Sequence, residues 1–331
     1  MQVEPSADIS VIIVNYATPD LAIDATQSVL DRHHGGRQVE VHLLDNASPG
    51  GDAARLAAAH AERGWGARVT LWPETRNHGF GAGNNVVLRA LAARERPPRY
   101  VMLLNPDAWL ENEALAILAD ALDARPEVVM AGAGISGVDG TPAAAAFRYP
   151  SVAGEFVQAA NFGPITRLGR RHVVPLPPDT PEGPVGWVSG AAVLARFDAI
   201  RAVGFFDPAY FLYFEEVDLM LQLTRRGGVI LHVPTARVIH AEGVATGVRG
   251  VPTARRRRPA FWYRSWRHYW VKNHGRPTAL RAAACWVAGA ALNQVIARLR
   301  RQYTHAPARF FGDFWGVAVR PLLGLREIPR S

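Results

Sequence analysis

The first 134 residues alternate between short apolar runs and longer amphipathic segments, with few residues between them. The apolar runs have the length and β-branched content of buried strands, and they cover residues 9–15, 39–44, 68–72, 100–104 and 128–134. A segment with the apolar spacing of a helix follows each of the first four. This alternation predicts an α/β domain in which helices flank a mostly parallel sheet.

Asparagine and aspartate stand where four of these predicted strands end. They are Asn15, Asp45, Asn77 and the pair Asn105 and Asp107. The carboxyl ends of parallel strands lie at one edge of a sheet, where α/β proteins bind ligands. There, Asp45 could accept a hydrogen bond from a base or a ribose, and Asp107 could hold a hard cation beside a phosphate. A turn that caps the next helix explains any one of them equally well.

A glycine-rich segment, residues 77–84, precedes the third predicted helix. Gly79, Gly81 and Gly83 lack the spacing of the dinucleotide-binding motif, and they follow the third strand instead of the first. We therefore expect no nicotinamide binding. A loop with positive φ angles accounts for the glycines.

Three acidic residues follow an aromatic run in the second half of the chain. Glu215, Glu216 and Asp218 come directly after the aromatic-rich residues 211–214 and begin a predicted helix. Acids in a first helical turn stabilise the helix dipole by about 0.3–1 kcal/mol, which is one sufficient reason for their presence. A carboxylate at a helix N-terminus is also expected to stay ionised, as a general base near neutral pH must.

The C-terminal third of the chain is basic. Residues 243–312 contain no Asp or Glu, and the whole chain has a net charge of +8. Arginines at 255–258 precede an aromatic-rich stretch, residues 261–270. Such a segment can lie on an anionic membrane, or it can pack its rings on the protein and expose its charges. Nucleic-acid binding is a third alternative, but the strand-end acids argue against it and no nucleic-acid partner is expected.

Further features limit the class of protein. Cys285 is the single cysteine, which excludes an intrachain disulfide and a cysteine zinc site. Residues 1–8 lack a basic region, so no signal peptide is expected. The longest uncharged apolar run, residues 282–297, is shorter than the ~20 residues of a spanning helix. Residues 151–184 are rich in Pro, Gly and Arg and are predicted to form a mobile loop.

Seven short motifs occur in a fixed order along residues 9–243. They are VIIVNY (11–16), LDNAS (44–48), NHGFG (77–81), LNPD (104–107), GWVSG (186–190), GFFD (204–207) and YFEEVDL (213–219). In this order they resemble glycosyltransferase family 2, and especially its bacterial rhamnosyltransferase-like members. Each motif alone is weakly specific, whereas the ordered set is specific.

The resemblance implies a GT-A fold: a mixed, mostly parallel sheet flanked by helices, followed by a basic helical extension. The implied catalytic domain covers residues 1–245, with a nucleotide-sugar half over 1–135 and an acceptor half over 136–245. The extension covers 246–331. The implied reaction is an inverting hexosyl transfer, with L-rhamnose from dTDP-rhamnose as the favoured donor. The acceptor would be a hydroxyl of a glycan or of a polyprenyl-diphosphate-linked saccharide in cell-surface polysaccharide synthesis.

The resemblance also implies site residues and a cofactor, Mg²⁺ or Mn²⁺. Nucleotide-sugar binding is implied for Asn15, Tyr16, Asp45, Asn77, Gly79 and Asn105. Metal coordination is implied for Asp107 and His240, and an acceptor or sugar pocket for Trp187, Gly190 and Glu215. Catalysis is implied for Glu216 or Asp218.

The chain departs from the family pattern at two positions. Glu216 stands where the family has the aspartate that acts as base, and the extra methylene keeps Asp218 as an alternative. Asn105 replaces the first aspartate of the metal motif. The expected lack of a signal peptide and the short apolar runs predict a cytoplasmic location, with peripheral binding to the inner face of the plasma membrane as an added expectation. The remaining alternatives are a non-catalytic basic binding protein and a nucleotidyltransferase, although the basic glycine-rich loop that a nucleotidyltransferase needs after its first strand is missing.

Overall fold

The computed structural model describes residues 7–241 and 256–328. The chain divides into two compact units. Unit 1 comprises Met1–Phe147, Leu176–Pro208 and Leu219–Gly250, and unit 2 comprises Arg148–Pro175, Ala209–Asp218 and Val251–Ser331. The domain boundary predicted at residue 245 lies outside the described residues. Two segments that the sequence analysis assigns to the acceptor half, 148–175 and 209–218, group with the C-terminal residues instead.

The strands and the helices of the described residues are numbered separately, each in chain order. The strands are β1 (Ile9–Asn15), β2 (Val39–Asp45), β3 (Val69–Pro73), β4 (Tyr100–Leu104), β5 (Ala108–Leu110), β6 (Val128–Ser136), β7 (Pro142–Ala143), β8 (Ala146–Phe147), β9 (Gly183–Val185), β10 (Trp187–Val188), β11 (Ala192–Arg196) and β12 (Val229–His240). The helices are α1 (Pro19–Leu30), α2 (Asp52–Glu62), α3 (Phe80–Ala92), α4 (Ala114–Asp123), α5 (Val152–Ala160), α6 (Gly163–Leu168), α7 (Phe197–Ala202), α8 (Glu215–Arg225), α9 (Ala260–His274), α10 (Arg276–Leu299), α11 (Phe310–Phe314) and α12 (Arg320–Leu322).

A mixed sheet forms the centre of unit 1. Its strand order is β3-β2-β1-β4-β11-β6-β12-β5, with β7 beside β6 and β9 beside β12. The first four strands in this order are parallel, β11 runs antiparallel between β4 and β6, and β12 is parallel to β6 but antiparallel to β5. Every residue of β1 is buried, as expected for a strand covered on both faces. The predicted α/β class and mixed sheet are confirmed.

The glycine-rich segment has a different role from the predicted one. Gly79 alone among its three glycines has a positive φ, 78°, and α3 begins directly after it. Gly81 and Gly83 lie inside α3, where a Cβ would stand 3.0 Å from Phe206 and 3.2 Å from Val14. Two of the three glycines are therefore required by close packing, and not by a loop.

Unit 2 is a helical unit with an aromatic core. Residues 151–184, predicted to be a mobile loop, contain α5 and α6, so that prediction is wrong for residues 152–168. The Ser151 hydroxyl accepts from the Gly154 N–H at 3.1 Å and begins α5. This helix packs so closely on α10 that a Cβ on Gly289 would lie 2.5 Å from the Phe156 main-chain oxygen.

The basic aromatic stretch is largely interior. Tyr263, Trp266, Tyr269 and Trp270 in α9 are at most 1% exposed. Of the two alternatives for these rings, packing on the protein therefore holds, and they are not membrane anchors. Within the described residues, α10 is long and apolar enough to cross a membrane by length and composition. Core helices share that composition, and α10 packs on α5.

Candidate active site

The Asn15 side chain joins the ends of β1 and β2. It is fully buried, and its Nδ2 donates to Asp45 Oδ1 at 2.9 Å and to Asp52 Oδ2 at 3.0 Å. Its Oδ1 accepts from the Thr18 N–H at 3.2 Å. With both ends of the amide engaged, Asn15 joins the ends of the two strands. The sequence analysis missed Asp52, because the helix dipole alone explains an acid at the first position of a helix.

Strained backbone and an exposed ring lie beside this network. Ala17 and Ala47, directly after β1 and β2, have φ angles of 58° and 57°. Non-glycine residues rarely adopt this region, and they do so preferentially at functional sites. Tyr16 is 41% exposed, whereas Asp45 is 4% exposed. Tyr16 is therefore accessible to a ligand, whereas Asp45 is held in place by its hydrogen bond with Asn15.

Asn46 links the end of β2 to the start of α3. Its Nδ2 donates to Asn77 Oδ1 at 3.1 Å and to the Gly79 main-chain oxygen at 3.0 Å, and its Oδ1 accepts from the His78 N–H at 2.9 Å. The structure thus places the predicted residues Asn77 and Gly79 next to the strand ends. Asn46 is not among the predicted site residues, although it stands beside Asp45 in the same motif.

Asp107 and His240 meet at the other end of the same edge. The imidazole Nε2 lies 3.0 Å from Asp107 Oδ1 and 3.3 Å from Asn105 Nδ2. β5 and β12 pair antiparallel with Ala108 opposite His240, and the Ala241 N–H donates to the Asp107 main-chain oxygen at 2.8 Å. This register brings the carboxylate and the imidazole together from distant parts of the sequence.

Asp107 and His240 are suitable ligands for a divalent cation whose remaining ligands come from a substrate. Within residues 7–241 and 256–328, no group of three or more His, Cys, Asp and Glu side chains converges. Asp107 and His240 supply one oxygen and one nitrogen, and most positions of an octahedral ion would be left for phosphate oxygens and water. That is the usual arrangement for Mg²⁺ or Mn²⁺ bound with a diphosphate.

The predicted acceptor-pocket residues are divided between the two units. In unit 1, Trp187 is half-buried and stacks on Phe147 with ring centroids 4.0 Å apart, and Gly190 is buried. In unit 2, Glu215 is 2% exposed and is the first residue of α8.

The two glutamates at the start of α8 are desolvated. Burial raises the pKa of Glu216, and burial together with the charge of Glu216 raises the pKa of Glu215 well above its usual range. One carboxyl oxygen of each has no hydrogen-bond partner within the described residues. The pKa direction is opposite to the predicted one, because loss of water outweighs the backbone N–H groups of the helix start. Tyr213 and Phe214 directly precede these acids in the sequence, and both have strained φ angles of 71°.

Asp218 is held by α9. Lys272 Nζ lies 2.6 Å from its Oδ2, and Asn273 Nδ2 donates to its Oδ1 at 2.7 Å. The carboxylate is 2% exposed. Both oxygens thus have partners within unit 2, so Asp218 fixes the first turns of α8 against α9.

A buried acid missing from the sequence predictions also lies in unit 2. Glu155 in α5 accepts from the indole N–H groups of Trp266 and Trp270 at 3.0 and 3.2 Å. Burial raises the pKa of Glu155 to about 7, although these two bonds and the charge of Arg258 act in the opposite direction. The sequence of α5 does not indicate these hydrogen bonds, because both indoles belong to another helix more than one hundred residues away.

We expect Glu155→Gln to flatten the pH dependence of thermal stability. The unfolded carboxyl titrates near its ordinary pKa of 4.5, and the folded one near 7. Between these values the folded state binds more protons, so stability falls as pH rises through this window. Gln keeps an acceptor for the indoles but cannot ionise. Its Tm should therefore exceed that of the wild type by about 2–6 °C at about pH 8 and by less at about pH 4.

Thermal denaturation across this pH range measures the difference. Glu62→Gln is the matched control, because Glu62 is exposed at the end of α2. This control should keep the slope of the wild type. A wild-type slope in Glu155→Gln would show that Glu155 does not titrate in this window.

Comparison with known proteins supports the family resemblance that the sequence motifs indicate. The model of the family Glycosyl transferase family 2 matches residues 10–169. The N-acetylglucosaminyl-diphospho-decaprenol L-rhamnosyltransferase of Mycobacterium tuberculosis is 30% identical over 223 residues, which are 64% of this chain and 69% of that protein. Rhamnosyltransferase WbbL of Escherichia coli is 25% identical over 166 residues, 49% of this chain and 61% of that protein.

Solved structures share the fold. The mannosyltransferase PcManGT from Pyrobaculum calidifontis, in complex with GDP-Man and Mn²⁺, superimposes with a TM-score of 0.51 at 16% identity, over 96% of this chain and 86% of that chain. S. aureus TarS 1-349 in complex with UDP-GlcNAc gives a TM-score of 0.54 at 13% identity, over 96% and 84%. The GT-A fold is thereby confirmed. With the ordered motifs and a relative 30% identical over 69% of its length, this chain belongs to glycosyl transferase family 2 and is a hexosyltransferase-type enzyme.

Proposed function

We propose that this protein transfers L-rhamnose from dTDP-rhamnose, with inversion, to a hydroxyl of a polyprenyl-diphosphate-linked saccharide in cell-surface polysaccharide synthesis. The observation that carries the proposal is the pair Asp107 and His240, 3.0 Å apart at the same sheet edge as the Asn15–Asp45 network. The choice of sugar is supported by both relatives, which are rhamnosyltransferases by name, and the choice of acceptor by the M. tuberculosis relative.

Unit 1 would bind the donor. Asp107 and His240 would hold Mg²⁺ or Mn²⁺, with Asn105 beside them. When bound, the ion would neutralise charge on the departing nucleotide diphosphate. Asp45 would accept a hydrogen bond from the nucleoside, and the exposed ring of Tyr16 would contact it. The strained turns after β1 and β2 support this placement, since strained backbone occurs preferentially at functional sites.

Glu216 is the proposed general base. The acceptor hydroxyl oxygen forms a bond to the anomeric carbon, the bond from that carbon to the diphosphate oxygen breaks, and the hydroxyl proton passes to the carboxylate of Glu216. Burial raises the pKa of this carboxyl, which strengthens it as a base. Asp218 is the weaker candidate, because Lys272 and Asn273 engage both of its oxygens.

The proposed acceptor places the enzyme at the cytoplasmic face of the plasma membrane. The M. tuberculosis relative is named for a decaprenyl-diphosphate acceptor, and such a lipid is confined to a membrane. The basic C-terminal residues would favour an anionic surface, at about 1 kcal/mol for each residue near it. Four aromatic rings of α9 contribute nothing to this contact, because Tyr263, Trp266, Tyr269 and Trp270 are buried.

A donor panel tests the proposed function. Thermal shifts are measured with dTDP-rhamnose, UDP-GlcNAc and GDP-mannose, each with and without Mg²⁺ or Mn²⁺, and transfer to a synthetic N-acetylglucosaminyl-diphospho-polyprenol is followed by mass spectrometry. We expect metal-dependent stabilisation by dTDP-rhamnose and a product one deoxyhexose heavier. Stabilisation by a UDP- or GDP-sugar alone would overturn the donor assignment.

A further inference from the structure

Unit 2 contains a surface pocket of about 280 Å³ that the steps above do not use. Its lining residues come from α9, the start of α10 and α12. They are Arg267, His268, Val271, Arg276, Pro321 and Leu322. A volume of this size lies at the lower end of small-molecule pockets, so it would admit a diphosphate and adjoining carbons but not a complete nucleotide sugar.

The pocket is cationic. Two arginines line it, and among the described residues no acid does. The Arg276 guanidinium donates to the Leu322 main-chain oxygen and forms no ion pair with a carboxylate within the described residues. Arg267 donates to the Val317 main-chain oxygen and lies 3.6 Å from Glu327, which has a closer partner, Arg264, at 2.6 Å. Positive charge in the pocket is therefore only partly compensated.

Apolar side chains also line the pocket. Val271 is 39% exposed, and Pro321 lies beside it in the lining, whereas Leu322 is only 2% exposed. Leu323 and Leu325, which follow Leu322 in the sequence, each leave 47% of their surface exposed. Cationic and apolar groups in one pocket suit an anionic group that continues into a hydrocarbon.

The pocket is connected to the proposed base-bearing helix within unit 2. The His268 ring packs edge-on against Tyr210 with centroids 4.7 Å apart. Lys272, one helical turn after His268, lies 5.9 Å from the same Tyr210 ring and 2.6 Å from Asp218 at the start of α8. Three side chains, those of His268, Tyr210 and Lys272, therefore connect the pocket to Asp218.

We propose that this pocket binds the diphosphate and the first isoprenoid carbons of the polyprenyl-diphosphate acceptor. The inference rests on the proposed function, since it names the part of the acceptor that the enzyme recognises besides the sugar. Arg276 and Arg267 donate to phosphate oxygens, and Val271 and Pro321 contact the isoprenoid.

Binding of farnesyl diphosphate to the full chain, without donor, tests the pocket. Isothermal titration calorimetry compares farnesyl diphosphate with inorganic pyrophosphate and with farnesol. We expect farnesyl diphosphate to bind more tightly than either. Arg276→Gln should weaken it about tenfold, as loss of a charge-assisted hydrogen bond would. Arg281→Gln, an exposed position in the same helix, is the matched control and should leave the affinity unchanged.

A second variant keeps the proposal testable if Arg276→Gln does not fold. Val271→Ser changes a partly exposed side chain and should weaken farnesyl diphosphate but not pyrophosphate. Unchanged affinity in both variants, or equal affinity for pyrophosphate and farnesyl diphosphate, would overturn the proposal. Thermal shifts with dTDP-rhamnose and Mn²⁺ are run on the same samples. If no nucleotide sugar binds but farnesyl diphosphate keeps this pattern, the proposed function fails and the pocket assignment stands.

Discussion

Glu216→Gln is expected to lower the rate of transfer by about 10²–10⁴-fold at saturating donor, while the donor still binds. The amide has nearly the shape of the carboxylate but cannot take the proton of the acceptor hydroxyl. Glu216 belongs to unit 2, whereas the proposed donor residues belong to unit 1. Loss of turnover without loss of donor-induced stabilisation is therefore the expected signature, measured by mass spectrometry and by thermal shift.

Two neighbouring carboxyls serve as comparisons. Glu215→Gln changes an acid in the same turn and should reduce the rate far less. Asp218→Asn turns an amide N–H towards Lys272 or Asn273 and should lower the Tm as well as the rate, because it breaks the contact between α8 and α9. Wild-type turnover in Glu216→Gln, or a larger loss in Asp218→Asn at unchanged Tm, would transfer the role of base to Asp218.

Asp107→Ala is expected to abolish metal-dependent stabilisation by dTDP-rhamnose. In the wild type, donor at one hundred times its Kd stabilises the folded protein by about 2.7 kcal/mol, and this shift should require Mg²⁺ or Mn²⁺. Without the carboxylate, His240 and Asn105 offer the ion no negative charge. We expect His240→Ala to give a partial loss, since it removes a neutral ligand and leaves the charged one in place.

Glu111→Ala is the matched control for this variant. Glu111 follows β5, is partly exposed and pairs with Arg237 at 3.0 Å, so it shares the neighbourhood of Asp107 without pointing into the donor set. The control should keep the full metal-dependent shift. Metal-independent stabilisation of the wild type, or a wild-type response from Asp107→Ala, would contradict a metal site at this edge.

The sheet could be predicted because its signal is local. Runs such as residues 11–14 are apolar throughout, and the parallel pairing of the consecutive strands β1, β2 and β3 follows from the helices between them. Strand-end polar residues follow from the same alternation, so Asp45 and Asp107 were accessible to sequence reasoning. The pairing of Asp107 with His240 was not, because no spacing rule joins residues on β5 and β12; the family resemblance supplied it.

The features that sequence reasoning missed depend on packing between distant segments. α5 was concealed by the high Pro, Gly and Arg content of the whole stretch 151–184, although residues 152–160 alone contain no proline and no arginine. The pKa direction at Glu215 and Glu216 depends on burial, which the expected helix dipole does not include. The engagement of Asp218 depends on Lys272, more than fifty residues further along the chain.

The separation between Asp107 and His240 also has a consequence for folding. The two residues are 133 positions apart and meet only through pairing of β5 with β12. Contacts of such high sequence separation form slowly, because a long loop must close first. During synthesis, a chain that ends before β12 contains the carboxylate without its imidazole partner. Metal-dependent nucleotide binding would therefore reach its full strength only when β12 has been added, and the increase would serve as a kinetic probe of that step.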